Sequence, residues 1–138
     1  MVGFWRSMVI VLGGAAASLW PGEASAQERL LTQYIADLGP QDHFNSSGTQ
    51  LTTFAALLAQ DRANVHRFGI RHRHDQIDPV FAARAMRAQI NVQTVQIQHY
   101  YQQFVQHILR DRPPGTYIVV YVYGYGSTIT RVTFDVPG

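Results

Sequence analysis

The sequence predicts an α+β fold, with an N-terminal signal helix, then two to three helices, then a C-terminal antiparallel β-hairpin. Three observations support this fold class. Residues 1–26 have the layout of a cleavable signal peptide, the middle of the chain carries apolar residues at helical spacing, and the chain from Tyr117 onward alternates with a period of two. The 138 residues therefore divide into a signal peptide, residues 1–26, and one small α+β domain, residues 27–138.

The N-terminal segment has the three parts of a Sec-type signal peptide. Arg6 supplies a basic region, residues 8–19 are mostly apolar, and residues 24–26 (Ala-Ser-Ala) fit a small-residue cleavage site. About 12 apolar residues cover roughly 18 Å as a helix, which is too short for a ~30 Å hydrocarbon core. We therefore expect cleavage after Ala26, a periplasmic or secreted protein and no transmembrane span after cleavage. An uncleaved membrane anchor is the alternative.

The composition of the mature chain limits its size and its chemistry. Removal of 26 of the 138 residues leaves 112, which suffice for one core but not for two domains. The absence of cysteine excludes disulfides, thiolate metal sites and a cysteine nucleophile. A formal net charge of +2 is too small to indicate a nucleic-acid-binding protein, and no nucleotide, dinucleotide, calcium or zinc motif is present. No cofactor is expected.

The first half of the mature chain is predicted to be helical. Residues 27–38 carry apolar side chains at i, i+1, i+4, i+5 and i+8, which is one stripe of a short helix ended by Gly39 and Pro40. A polar loop follows, and residues 52–68 form a second helix. Thr52 or Thr53 can serve as its N-cap, and Gly69 stands where a C′ residue belongs.

The next region is less regular. Asp78 and Pro79 can begin a third helix as N-cap and N1 residues. From residue 90 the apolar spacing is close to a heptad, but β-branched residues at positions 90–95 disfavour a continuous helix. Whether residues 79–109 form one helix or two, or include a strand, is left open by the sequence.

The C-terminal hairpin has the clearest pattern. Between residues 117 and 125 the tyrosines alternate with aliphatic side chains, and a turn at residues 124–127 leads to a second strand. Two strands alone are marginal in water, so the aliphatic face should pack on the helices. The opposite face is a candidate interaction surface formed by Tyr117, Tyr121 and Tyr123.

A second candidate surface is a basic patch that follows the second predicted helix. Residues 61–87 hold six arginines, three aspartates and three histidines, so the charge is about +3 (six minus three) with neutral imidazoles and about +6 when all are protonated. This patch could bind an anionic polymer or an envelope protein, or it could be paired internally with Asp61, Asp75 and Asp78. No metal site is predicted, because His72 and His74 lack further ligands at a suitable spacing. The patch comprises Arg62, His66, Arg67, Arg71, His72, Arg73 and His74.

The sequence offers no complete catalytic set. We therefore expect an exported small binding or interaction protein without a catalytic site. The alternative is a small periplasmic hydrolase that uses His66 and Asp61 with a serine of the loop at residues 42–48, although no GxSxG elbow accompanies these residues. Convergence of these side chains on one pocket would favour the hydrolase.

Overall fold

A computed structural model describes residues 27–138, which form a three-stranded antiparallel sheet with helices packed on one face. The strands are β1 (Arg29–Asp37), β2 (Tyr117–Tyr125) and β3 (Thr128–Asp135), in the spatial order β1-β2-β3. The helices are α1 (Phe54–Ala63), α2 (Arg84–Arg87) and α3 (Gln102–Asp111). The α+β class is confirmed, whereas the predicted signal helix and cleavage site lie outside the described residues.

The prediction of a helix over residues 27–38 is wrong, because this segment is β1. Its buried apolar side chains are Tyr34, Ala36 and Leu38, every second residue, as in a strand. β1 pairs with β2 along its length, and Tyr34 lies opposite Val120. Because a two-stranded hairpin is marginal alone, pairing with β2 outweighs the helical spacing of the segment and makes the sheet three-stranded.

The C-terminal hairpin is confirmed, with a shorter turn than predicted. β2 and β3 are separated by two residues, and Gly126 adopts a φ of 56°, which favours glycine. Val120 and Phe134 face each other on the buried side of the sheet. The Phe134 ring packs 4.9 Å from that of Phe54 on α1, so this face forms the core with the helices.

The predicted second helix is confirmed in position and in its caps. The Thr53 hydroxyl accepts a hydrogen bond from the N–H of Ala56 at 3.1 Å, as an N-cap does. After α1 the chain continues into a π-helical turn, Asn64–Phe68, and it ends at Gly69 with a φ of 67°. Wide turns of this kind often occur at functional sites in helices.

The region after residue 78 contains less helix than predicted. The carboxylate of Asp78 accepts hydrogen bonds from the N–H groups of Val80 and Phe81 at 2.8 and 2.7 Å, so it does cap a turn. The chain then forms the four-residue α2 and a 3₁₀ turn at His99–Tyr101 before α3. Residues 79–109 therefore hold two separate helices, and Val95 between them forms an isolated parallel bridge with Val132 of β3.

Connecting segments cover both outer edges of the sheet. At β1, the backbone N–H of Gln76 donates to the carbonyl oxygen of Ile35 at 3.0 Å, and the side chain of Gln76 accepts from the N–H of Ile35. At β3, Val132 exchanges backbone hydrogen bonds with Thr94 and Gln96 at 2.8 and 2.9 Å. Edge groups that would otherwise be open to another strand are thus occupied at these positions. No helix within residues 27–138 is long and apolar enough to cross a membrane.

Candidate functional site

A network of charged side chains lies inside the domain, between α1 and the connector that follows it. Arg62 is completely buried, and its guanidinium group lies 2.8 Å from Asp61, 2.9 Å from Asp78 and 3.8 Å from Asp75. It also donates to the backbone oxygen of Gln76 at 2.8 Å. We call these residues the Arg62 network. Buried charges are costly unless they are paired, so the network fixes the position of the connector against α1.

The basic patch predicted from the sequence is divided by the fold. The placement of Arg62 on a surface patch is wrong, because its side chain has no exposed area. Two histidines of the patch are also paired with buried aspartates. The Nε2 atom of His66 lies 2.7 Å from Asp78, and His72 faces two buried aspartates. The members of the patch that are exposed are Arg67, Arg71, Arg73 and His74. Binding of an anion by these four residues stays a hypothesis.

Two aspartates of the Arg62 network have pKa values shifted in opposite directions. Burial raises the pKa of Asp61 well above its ordinary value, and the nearby charge of Arg62 opposes this only in part. Burial acts in the same direction on Asp78, but hydrogen bonds from His66, from the N–H of Phe81 and from Arg62 bring its pKa below the ordinary value. Asp78 is therefore the charged partner of Arg62, and Asp61 is held toward its neutral form.

A second group of titratable side chains continues from the Arg62 network through Asp75. The Nδ1 atom of His72 lies 3.4 Å from Asp42 and 3.3 Å from Asp75, without a hydrogen bond among the described residues. Burial raises the pKa of Asp42 to about 6, against the effects of a hydrogen bond from Asn64 and of the charge on His72. We call Asp42, His72 and Asp75 the His72 cluster.

Gly39 allows the His72 ring to approach the backbone. A Cβ atom at position 39 would overlap the imidazole ring of His72. The φ of Gly39 is −82°, which any residue adopts, so contact with the ring is the reason for glycine at this position. The turn that holds Asp42 and the ring of His72 are therefore packed directly against each other.

A surface cleft of about 670 Å³ adjoins the His72 cluster. α1 and its π-helical turn form one wall, which carries side chains at four-residue intervals. The segment between residues 40 and 46 forms the other wall. None of the lining residues carries a formal charge. They are Pro40, Gln41, Phe44, Asn45, Ser46, Gln60, Asn64, Phe68 and Ile70.

Hydrogen bonds connect the cleft amides to the buried groups behind them. The side-chain nitrogen of Asn64 donates to Asp42 at 2.8 Å, and its oxygen accepts from the amide of Gln60 at 3.0 Å. The side-chain oxygen of Gln41 lies 2.6 Å from Nε2 of His72. Within residues 27–138, the Nε2 group of Gln41 and the Oε1 atom of Gln60 have no further hydrogen-bond partner, so the cleft offers one donor group and one acceptor at these residues.

The residues of the alternative hydrolase are held apart by their partners. Asp61 is paired with Arg62, and His66 is paired with Asp78, so neither lines the cleft. Ser46 does line the cleft, yet no hydrogen bond in the described part of the chain joins it to His66. The described residues also contain no group of three or more histidine, aspartate or glutamate side chains placed to hold a metal ion.

The tyrosines predicted as an interaction surface lie together on the open face of the sheet, partly covered. Tyr117 is 37% exposed, and the ring of His74 packs against it at 4.4 Å between centroids. The guanidinium carbon of Arg131 lies 3.6 Å from the centre of the Tyr123 ring. Tyr121, between them, is half-buried. A role of this surface in binding a partner stays a prediction.

Comparison with known proteins found no match, whether with protein-family models, with curated proteins or with solved structures. The cleft residues Gln60, Asn64 and Phe68 were not predicted from the sequence to form a site. Their four-residue spacing on a helix is the signal from which one shared face can be predicted.

Proposed function

We propose that this protein is an exported, non-catalytic binding protein whose cleft receives an uncharged ligand with hydroxyl or amide groups on an apolar frame. The observation that carries the proposal is the lining of the cleft, which combines two phenyl rings, four amide side chains and a hydroxyl without an ionised group. Ligand sites of about 300–1,000 Å³ with apolar walls and a few polar groups are typical of small-molecule binding. An ionised ligand would lose hydration there without a lining charge to compensate.

The fixed geometry of the cleft amides also supports binding. Asn64 and Gln60 are joined to each other and, through Asp42, to buried groups of the domain. Side chains that are already ordered lose less conformational entropy when a ligand arrives. The cleft is thus suited to select a ligand by the positions of its hydrogen-bonding groups rather than by charge.

The exported location is supported by residues 1–26 alone, through the basic start, the short apolar run and the Ala24-Ser25-Ala26 site. The hydrolase alternative gains no support from the contacts of Asp61 and His66, since both are engaged with other side chains. Binding without chemistry is therefore the function that we favour.

A nuclear magnetic resonance screen of the mature chain tests this proposal. Neutral sugars and neutral amides would be compared with carboxylates and phosphate, with the side-chain amide signals of Gln41, Gln60 and Asn64 as the readout. We expect neutral compounds to shift these signals. Phe68→Ala should weaken the binding roughly fivefold, because one aromatic contact contributes about 1 kcal/mol.

Val92→Ala is the matched control, because Val92 is 70% exposed and does not line the cleft. It should leave the affinity unchanged. The proposal fails if no neutral compound shifts the cleft signals, if ionised compounds bind more tightly, or if Phe68→Ala and Val92→Ala bind equally well.

A further inference from the structure

The hydrogen-bonding groups of the cleft are held from behind by the His72 cluster. We propose that the protonation state of this cluster sets the orientation of the Asn64 and Gln41 amides, and thereby which donors and acceptors the cleft presents. Asp42 and His72 are positioning residues in this scheme, since both lie behind amides that line the cleft. The inference rests on the proposed function only for its effect on ligand binding.

The contacts of His72 with its neighbouring carboxylates are favourable only when a proton lies between its Nδ1 atom and one of them. The Nε2 atom faces the side-chain oxygen of Gln41, an acceptor, so Nε2 carries a hydrogen. If the ring were neutral, the lone pair of Nδ1 would point at carboxylate oxygens of Asp42 and Asp75, at 3.4 and 3.3 Å. This contact is repulsive when both carboxylates are charged. A second proton, on Nδ1 or on Asp42, makes it attractive.

Asp42 is the carboxylate of the cluster to which we assign the proton, because burial raises its pKa to about 6 despite hydrogen bonds from Asn64 at 2.8 Å and from the backbone N–H of Gly39 at 3.1 Å. Asp75 accepts a hydrogen bond from the backbone N–H of Asp37 at 2.8 Å and lies 3.8 Å from Arg62. Asp75 therefore has a permanent cation beside it among the described residues. The cationic partner described for Asp42 is His72 alone, at 3.4 Å. The charged or titratable groups packed around the cluster are Asp61 and Arg62 from α1, Asp37 from β1, and Arg71, which donates to the backbone oxygen of Asp75.

The charge on Asp42 in turn controls the orientation of the Asn64 and Gln60 side-chain amides. A charged Asp42 accepts a strong hydrogen bond from the nitrogen of Asn64, which turns the oxygen of Asn64 toward Gln60. The free oxygen of Gln60 then faces a ligand as an acceptor. Protonation of Asp42 removes the charge from this bond and leaves it about half as strong. Asn64 and Gln60 then lose their fixed orientation, so acidification weakens the binding of a ligand that donates to Gln60.

The test follows the side-chain amide signals of Asn64 and Gln41 by ¹H–¹⁵N magnetic resonance between about pH 4.5 and 8. In the unmodified mature chain, we expect the Asn64 signals to shift with a midpoint near 6, the raised pKa of Asp42. Asp42→Asn should abolish this shift, because the new amide has no charge to titrate while its oxygen can still accept from Asn64. Gln89, bonded to Ser127 and Ile129 on the far hairpin, is the control and should stay constant.

His72→Gln supplies a second variant in case Asp42→Asn does not fold. It removes the charge opposite Asp42 and should move the Asn64 midpoint to higher pH. The inference is overturned if the Asn64 signals are constant over this pH range in the unmodified chain, or if either variant titrates as the unmodified chain does.

Glycerol, a neutral probe with hydroxyl groups, separates this inference from the proposed function. Its effect on the Gln60 signals should be larger at about pH 7 than at about pH 5, and equal at both in Asp42→Asn. A titration of Asn64 without any response to glycerol or to the neutral compounds of the screen would end the proposed function alone. Equal responses to glycerol at both pH values in the unmodified chain would overturn the control of binding by the cluster.

Discussion

The guanidinium carbon of Arg62 lies 3.9 Å from the centre of the Tyr34 ring, so a cation on α1 is stacked on a buried aromatic side chain of β1. Such a contact contributes about 2 kcal/mol when it is desolvated. The aspartates around Arg62 hold the guanidinium plane in place over the ring. The helix layer and the sheet are thus joined by a charged contact as well as by apolar packing.

The Tyr34 hydroxyl, which has no hydrogen-bond partner among the described residues, supplies the first prediction. Tyr34→Phe should leave the free energy of unfolding unchanged or raise it by up to about 1 kcal/mol, because it removes an unpaired buried polar group and keeps the ring. Tyr34→Leu should lower it by at least about 2 kcal/mol, since the stacking is lost. Urea unfolding measures both values. Equal losses in the two variants would contradict a role for the ring face.

The Arg62 network is expected to depend on its single buried cation. Arg62→Met should cost about 3–5 kcal/mol at neutral pH, because it leaves buried carboxylates without a counter-charge. The cost should be smaller in acid, because loss of the Arg62 charge lets the remaining buried carboxylates take up protons at a higher pH. Denaturant unfolding at about pH 7 and 5 tests this, with Arg67→Met as the exposed control expected within about 0.5 kcal/mol of the parent. An Arg62 variant as stable as the control would rule the network out as a stabilising feature.

Asp42 should make the folded state less stable as the pH rises. Its folded pKa of about 6 exceeds the ordinary value of 3.8, so the folded protein binds more protons than the unfolded chain between these values. This stabilisation is present below about pH 4 and is lost as the pH rises through 6, by about 3 kcal/mol. Asp42→Asn should therefore gain stability relative to the parent as the pH rises from 4 to 7, by roughly this amount.

Asp78 should contribute to stability with the opposite pH dependence, and it serves as the comparison for Asp42. Because its folded pKa is below the ordinary value, its stabilisation is present at neutral pH and is lost as the pH falls through the folded pKa. The cost of Asp78→Asn should thus shrink on acidification. Parallel pH profiles for the two variants would show that the burial of Asp42 does not control its protonation.

Gly39 should be intolerant of alanine because of His72. Gly39→Ala is expected to cost about 1–3 kcal/mol, since the new methyl group must displace the imidazole ring. In a His72→Ala background the same change should cost almost nothing, so a double-mutant cycle isolates the contact. An equal cost in both backgrounds would place the effect in the backbone instead.

The two faces of β2 should respond differently to a charge. Val120→Asp is expected to cost several kcal/mol, because Val120 has no exposed area on the core side of the sheet. Tyr121→Asp, one residue along on the half-buried open face, should cost much less. Thermal unfolding of both variants measures the two losses of stability. If the losses are equal, the open face is covered and the tyrosine interaction surface is excluded.

The reliability of the fold prediction differed between strands for a physical reason. β2 was predicted correctly because Ile118, Val120 and Val122 alternate with tyrosines in a pattern that only a strand explains. β1 was not, because its apolar residues fit a helical stripe, and its pairing with β2 is a long-range contact that a local pattern does not contain.

The candidate site was harder to predict than the fold. Arg62 stands in a stretch of charged residues at the end of a predicted helix, where the sequence indicates a solvent-exposed face. Its burial depends on Asp75 and Asp78, which follow 13 and 16 positions later (75 − 62 and 78 − 62) and fold back onto α1. The sequence did suggest this pairing as an alternative to the surface patch, but local spacing does not decide between the two.

The covered sheet edges have a consequence for self-association. The stretch from Tyr117 to Tyr123 is uncharged and strongly β-prone, a composition typical of fibril-forming segments. Within the folded domain this stretch belongs to β2, which is paired on both sides by β1 and β3. Connectors occupy the outer edges at Ile35 of β1 and Val132 of β3, so another chain can add a strand at these positions only after the connector at Gln76 or the one at residues 94–96 has detached. Such local openings require less free energy than global unfolding. Detachment of either connector therefore frees part of an edge strand without global unfolding, so a variant with a weakened connector should self-associate faster with little loss of global stability.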